Sequence, residues 1–239
     1  MHNTQLLAWD SDILGISVAK IIYPRLNQEE LYNSLQKLKE KGVKLVYWCI
    51  DSHDNISKQA ASACEGYLAD EKITYIQGLK THPPLSFPYQ DVEIYIPVKA
   101  NPELESIAIE IGQLSRFSKD PKLTSEQANQ LYKSWINNAC QKIVAKIVLV
   151  IKKNNHIVGM ATIDEKQGRA DISLVGVDPA NQGQGIGKRL VCAAVAWCIK
   201  QNYAACQVVT HKTNFKARRL YESCDFIEEK IEYFYHFWL

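Results

Sequence analysis

No stretch of this 239-residue sequence is long and apolar enough to cross a bilayer. The longest apolar run, Leu190–Ile199, falls far short of the ~20 residues a spanning helix needs. The first ten residues, Met1–Asp10, are polar and include Trp9 and Asp10, so they lack the apolar core of a secretory signal. A soluble, cytoplasmic protein with no membrane partner is expected. Charge of one sign is also lacking: 28 Lys and Arg stand against 26 Asp and Glu, for a formal net charge of +2. That balance speaks against nucleic acid, which requires a clustered basic face. The seven cysteines are odd in number, scattered, and contain no Cys-x-x-Cys pair. They offer neither a disulfide framework nor a zinc site. They read as small buried hydrophobes in a reducing compartment, and no metal site is expected.

What is present is an ordinary globular composition, 46% hydrophobic and 23% charged, enough for one large or two small domains. The segment Thr81–Tyr89 packs three prolines into nine residues and reads as a connection. It divides the chain into a small α/β unit, residues 1–89, and a larger one, residues 90–239. In the first, Ser17–Tyr23, Lys44–Ile50 and Tyr67–Gln77 read as strands. Gln28–Lys41 reads as a helix with Leu31, Leu35 and Leu38 on one face, and Asn55–Glu65 as a helix ended by Gly66. In the second, strand Val92–Val98 is followed by helix Pro102–Leu114, a polar loop Ser115–Leu123 and a helix over Thr124–Asn138. Strands Lys146–Lys153 and His156–Asp164 are joined by the turn pair Asn154–Asn155. Strand Arg169–Val177, helix Gly185–Gln201, strand Cys206–Thr210, helix Asn214–Ser223 and an aromatic strand within Phe226–Trp238 complete the chain. The fold class is α/β (α+β) with a mixed central sheet.

Glycine is scarce, 11 in all, yet three stand at 183, 185 and 187. There, strand Arg169–Val177 passes through Asp178-Pro179-Ala180-Asn181-Gln182-Gly183-Gln184-Gly185-Ile186-Gly187-Lys188 into a helix. Such a turn aims several backbone N–H groups at one anion, and the helix adds the positive end of its dipole. Glycines let the backbone approach the ligand closely. A dinucleotide fingerprint is absent, and so is a Walker A loop, because Arg189 stands where Ser or Thr is needed after Lys188.

Gln182-x-x-Gly185-x-Gly187, with Val177-Asp178-Pro179 before it, resembles the acetyl-coenzyme A element of the GNAT N-acetyltransferases. The resemblance implies that Val175 and Val177 offer backbone groups to pantetheine. It also implies that the turn Gln182, Gly183, Gln184, Gly185, Ile186, Gly187 and Lys188 holds the pyrophosphate. Asn214-x-x-Ala217-x-x-x-Tyr221 resembles the second signature of that family. On a helix these three share a face, and the resemblance makes Asn214 and Ala217 cofactor contacts and Tyr221 the general acid. The chemistry suits: a phenol near ~10 stays protonated at neutral pH and hands its proton to a departing thiolate. Where the family places Gly-Phe after the tyrosine, this chain has Asp225-Phe226, and Asp tolerates the left-handed conformation.

Over most of its length the chain resembles the TDP-fucosamine acetyltransferases. The carriers are Trp9-Asp10-Ser11 with Leu14-Gly15, Gly66-Tyr67 with Asp70, Ser115-Arg116-Phe117, Leu131-Tyr132-x-x-Trp135-Ile136-x-Asn138-Ala139, and the aromatic strand Tyr233–Trp238. The resemblance implies a GNAT fold preceded by a smaller GNAT-like unit that contributes to the acceptor site. It also implies acetyl transfer from acetyl-CoA to the amino group of a nucleotide-linked amino-dideoxy sugar. Arg116 offers a planar fork of donors to a diphosphate. Asp70 stands as the general base, with Asp171 as its rival. The alternatives are another small amine, a peptide N-terminus, or a non-catalytic acyl-CoA-binding module. The aromatic end, with Tyr233, Tyr235 and Phe237 on one face and Phe234, His236 and Trp238 on the other, fits either a homodimer contact or the completion of an internal sheet.

Overall fold

The computed structural model describes residues 4–80, 87, 89 and 91–239. Most of the proline-rich 81–89 connection therefore lies outside the described residues. Ten strands form one mixed sheet: β1 (Thr4–Leu6), β2 (Val18–Ile21), β3 (Leu45–Asp51), β4 (Tyr67–Gly78), β5 (Val92–Ile94), β6 (Ile147–Lys153), β7 (His156–Lys166), β8 (Arg169–Val177), β9 (Ala205–His211) and β10 (Ile227–Trp238). Their order is β1-β2-β3-β10-β4-β9-β8-β7-β6-β5. Only β2–β3 and β8–β9 pair in parallel. The last strand thus lies between two strands of the 1–89 segment, with β3 on one edge and β4 on the other. The aromatic end completes the internal sheet, and backbone bonds tie the two segments together along its whole length.

Strict alternation along the strands divides the core. Leu45 and Tyr47, with Val148 and Val150, face α1 (Ala8–Leu14), α4 (Pro102–Gly112), α5 (Arg116–Lys119) and α6 (Ser125–Cys140). Val46 and Trp48 face α2 (Gln28–Glu40) and α3 (Asn55–Ala63), while Leu149 and Ile151 face α7 (Ile186–Lys200) and α8 (Phe215–Glu222). Leu31, Leu35 and Leu38 are the buried stripe of α2. That helix starts with a reciprocal capping box between Asn27 and Glu30, which satisfies two otherwise orphaned donors. Asn154 and Asn155 both adopt positive φ, 50° and 67°, as the two-residue turn between β6 and β7 demands.

Several local expectations are corrected. The segment 4–14, unassigned from the sequence, holds an edge strand and a helical turn. The polar loop 115–123 contains the short helix α5. Helix α3 ends with Glu65, not Gly66, in the left-handed conformation (φ 58°). Gly66 is required for space instead: a Cβ there would lie 2.7 Å from the Phe237 ring. Asp225 does take the left-handed conformation, φ 64°, so the helix end survives without glycine.

Candidate active site

The parallel strands β8 and β9 pair only at Ala170–Cys206, Asp171–Gln207 and Ile172–Val208, although they continue to Val177 and His211. They diverge where β8 carries a bulge: Thr162 faces Leu174 and Ile163 faces Ile172, leaving Ser173 without a cross-strand partner. A bulge bends its strand and increases local twist. Past it, β8 is bonded to β7 on one edge and, among the described residues, has no strand on the other, which suits the addition of an extended arm. Close packing behind the strand holds this geometry. A Cβ on Gly176 would lie 2.6 Å from Ile107 and 2.7 Å from Ile111, so α4 sits directly on the β8 backbone. The wedge opens into a cavity of about 630 Å³ lined by residues of both segments, among them Trp9, Lys72, Arg116, Val175, His211 and Tyr221.

At the far end of β8 the chain turns through Pro179–Asn181. The Asn181 side chain donates to Asp178 (2.6 Å) and Gln182 Nε2 donates to the Val177 carbonyl (3.3 Å). Gly183 and Gly185 have φ of 76° and 74°, a conformation costly for any residue with a Cβ. Among the described residues, the backbone N–H groups of Gly183 through Lys188 donate to no protein acceptor. No acidic residue stands in the first turn of α7, so its dipole is not neutralised. Lys153 and Lys216 reach the turn through Gln184 and Gln182, at 3.3 Å each. This is an anion cradle. Two of its members also pack against the core. The Ile186 side chain is buried in the core and leaves only its backbone for the turn. A Cβ on Gly187 would lie 3.1 Å from Leu220, so the absence of a side chain here also serves the packing of α7 on α8. Val177 packs partly buried against the same core, whereas Val175 lines the cavity.

Helix α8 begins at Asn214, whose side-chain oxygen accepts from the Ala217 N–H (3.1 Å). That oxygen is occupied by capping. Asn214, Ala217 and Tyr221 all line the cavity. Tyr221 is 4% exposed, and its ring packs 6.1 Å from Tyr75 and 6.2 Å from Phe226. Burial, and then the Cys224 thiol, push its phenol well above the ordinary tyrosine value. It keeps its proton at every working pH.

The other end of the cavity is built from the 1–89 segment and α5. Arg116 opens α5 after its Ser115 cap. Its guanidinium lies 4.2 Å over Phe117, 4.8 Å over Tyr47 and 5.2 Å over Phe234, and its buried Nε has no hydrogen-bond partner among the described residues. Lys72, which the sequence did not single out, sits 4.2 Å over Phe234. Burial, with the Arg116 charge next, pulls its ammonium down to about 8. Among the described residues neither cation forms an ion pair with a carboxylate. Asp171 lines the cavity and accepts from Gln207 Nε2 (2.8 Å) and Ser173 Oγ (3.0 Å).

Asp70 is not among the residues lining the cavity. Its side chain is 1% exposed and bonds His211 Nδ1 at 2.7 Å; His211, at 15%, does line the cavity. His211 is the second group the sequence did not reveal. No local motif marks it, since its partner lies 141 positions away.

The short helix that Arg116 opens is closed by Asp120, whose N–H donates to the Arg116 carbonyl (3.1 Å) and whose carboxylate is buried. That carboxylate accepts from His236 Nδ1 (2.5 Å), Trp238 Nε1 (3.1 Å) and the Lys122 N–H (2.9 Å), and the Asp120 and His236 side chains are 1% and 0% exposed. Burial raises the Asp120 carboxyl, but these donors outweigh it and hold it below the ordinary carboxylate range. Its stabilising contribution is therefore present above that range and lost as pH falls through the folded value. Asp120→Ala would strand three donors. A loss of about 3 kcal/mol or more is expected, read as a lowered denaturant midpoint.

Comparison with known proteins agrees with this geometry. The model of the acetyltransferase (GNAT) family matches residues 112–226, which span the bulged strand, the glycine turn and Tyr221. That segment has the GNAT fold and is similar to a family of acetyltransferases whose co-substrate is acetyl-CoA. Along 98% of its length the chain superposes on 76% of a GCN5-related N-acetyltransferase from Sphaerobacter thermophilus, with a TM-score of 0.65 at 16% identity. It covers 91% of a functionally unknown conserved protein from Staphylococcus epidermidis, with a TM-score of 0.67 at 13% identity. Among curated proteins it is similar to the spore coat polysaccharide biosynthesis protein SpsD of Bacillus subtilis, 27% identical over 124 residues. That match takes in 52% of this chain and 43% of the relative, so the chain spans less than half of the relative's length. No helix among the described residues is long and apolar enough to cross a membrane.

Proposed function

We propose that this protein transfers the acetyl group of acetyl-CoA to the amino group of a nucleotide-linked amino-dideoxy sugar. The observation that carries the acceptor class is the pair of cations, Arg116 and Lys72, half-buried in the cavity without a carboxylate partner. Like charges held together in a low-dielectric site repel, and a diphosphate relieves the repulsion. The polysaccharide-biosynthesis role in the relative's name is consistent with a sugar acceptor. In this reading the open edge of β8 bonds the pantetheine arm through Val175 and Val177. The N–H groups from Gly183 to Lys188 bind the pyrophosphate, and the α8 face of Asn214 and Ala217 lies against the coenzyme. The amine attacks the thioester carbonyl directly, and Tyr221 protonates the leaving sulfur. The 1–89 segment supplies part of the acceptor site, with Trp9, Asp10 and Lys72 in the wall.

The test is acetyl transfer read as free thiol, with TDP-4-amino-4,6-dideoxy-galactose and its gluco epimer beside spermidine and a peptide. Turnover confined to a sugar nucleotide is expected. Asp10, Asp164 and Asp171 also line the cavity and favour a polyamine as the second reading; turnover on spermidine alone would replace the first. A pH effect follows from Lys72. Its ammonium is charged below about 8 and neutral above it, so KM for an anionic acceptor is expected to rise as pH passes that value. In Lys72→Met this rise disappears.

A further inference from the structure

An amine is protonated in water and must lose a proton before it attacks a thioester. The proposed acid, Tyr221, cannot accept that proton, and a second group has to. Asp171 has its two oxygens engaged by Gln207 and Ser173, and Asp70 does not reach the cavity wall. His211 does, and its Nδ1 is bonded to the Asp70 carboxylate at 2.7 Å.

We propose that His211 is the catalytic base of the acetyl transfer, with Asp70 as the positioning residue behind it; this rests on the acetyl-transfer reading above. The carboxylate accepts a hydrogen bond, so the ring proton resides on Nδ1, and Nε2 carries the lone pair. His211 is the last residue of β9, and it lies directly opposite Lys72 in the antiparallel β4–β9 register. Asp70 is two positions before Lys72 on β4, on the same face. The sheet register itself therefore fixes the imidazole against the carboxylate. The backbone carbonyl of His211 accepts from the Asn214 N–H at 2.8 Å, which ties the ring's position to the cap of the helix bearing Tyr221. Acid and base thus sit at the two sides of one short strand–helix connection. In the reaction the ammonium's extra proton passes to His211 Nε2, the neutral amine forms the new N–C bond, and the second N–H proton that the amide does not keep passes to water. The C–S bond then breaks, and Tyr221 gives its proton to the sulfur. An amide and a free thiol leave, and the imidazolium and phenolate are reset by exchange with water.

The charged and titratable groups that bond the ring or line the same cavity are Asp70 and Lys72 from β4, Arg116 from α5, Tyr132 from α6, Asp164 from β7, Asp171 from β8, Tyr221 from α8 and Asp10 from α1. Glu71 and Lys212 pair with each other beside it. Among these, Lys72 loses its charge above about 8, so it shapes the alkaline side of a pH profile and not the acid side.

The experiment is the pH dependence of kcat at saturating acetyl-CoA and saturating acceptor, for wild type, His211→Gln and Asp70→Asn, with the melting temperature measured for each. Wild type is expected to lose rate on the acid side with a slope of one as the imidazole takes up a proton. His211→Gln is expected to lack that limb and to be about 100-fold slower at neutral pH. Asp70→Asn is expected to keep the limb at reduced rate, since the carboxamide misdirects the tautomer but leaves the base. If either variant fails to fold, ¹⁵N chemical shifts of the wild-type imidazole report the tautomer directly, and a proton on Nε2 rather than Nδ1 overturns the assignment. Wild-type turnover with His211→Gln within threefold, or with its acid limb intact, overturns this inference and leaves the acetyl-transfer reading standing. No wild-type turnover on any amine removes that reading and this inference together.

Discussion

Tyr221→Phe is expected to bind acetyl-CoA as the wild type does and to lose about 10²- to 10⁴-fold in kcat, the range general acid catalysis supplies. The substitution is unusually clean. The ring is packed between Tyr75 and Phe226, and phenylalanine retains those contacts. The hydroxyl faces the cavity and has no hydrogen-bond partner among the described residues, so its removal strands no buried group and stability should be nearly unchanged. Burial holds the phenol protonated, which suits a donor and rules out a role as base. Calorimetric titration with acetyl-CoA beside steady-state kinetics separates the two effects. An unchanged kcat at saturating substrates would remove Tyr221 from the chemistry.

The second large effect is expected at Arg116. Arg116→Met keeps much of the apolar contact with Phe117 and Tyr47 but removes the donor fork. KM for a sugar nucleotide should rise about 30-fold or more, corresponding to the ~2 kcal/mol lower bound for truncating one side of a buried charge pair. Arg116→Lys should recover only part, because an ammonium cannot offer two parallel donors to a phosphate. The apparent affinity for acetyl-CoA should not move, since the glycine turn lies at the other end of the wedge. An unchanged acceptor KM in Arg116→Met, with the melting temperature preserved, would mean that no anion is bound there.

Much of this was legible because it is local. A glycine at φ 74° ahead of a helix, an asparagine three residues before the N–H it caps, and an alanine and a tyrosine on the same helical face are short-range facts. Backbone geometry imposes them, and they occur in order along the chain. The same holds for the Asn154–Asn155 hairpin and for Asp225 at the helix end. The errors came where packing overrode local preference. Gly66 looked like a helix stop, yet the structure uses it as a gap for the Phe237 ring. Spacing along the chain carries no information about which side chain will occupy the space above a glycine.

The sequence alone determined a strand, a glycine turn and a capped helix bearing a tyrosine, all within Arg169–Tyr221. The tertiary structure decided the other end of the cavity. Lys72 and His211 meet only because β4 pairs with β9, and the short helix α5 that Arg116 opens is tied to β10 through Asp120, His236 and Trp238. β10 in turn stands between β3 and β4, far from its neighbours in sequence. Helical periods and turns are set by interactions within a few residues, whereas strand order is set by which apolar faces can be buried together. A base and its carboxylate brought together by strand pairing therefore leave no trace in spacing.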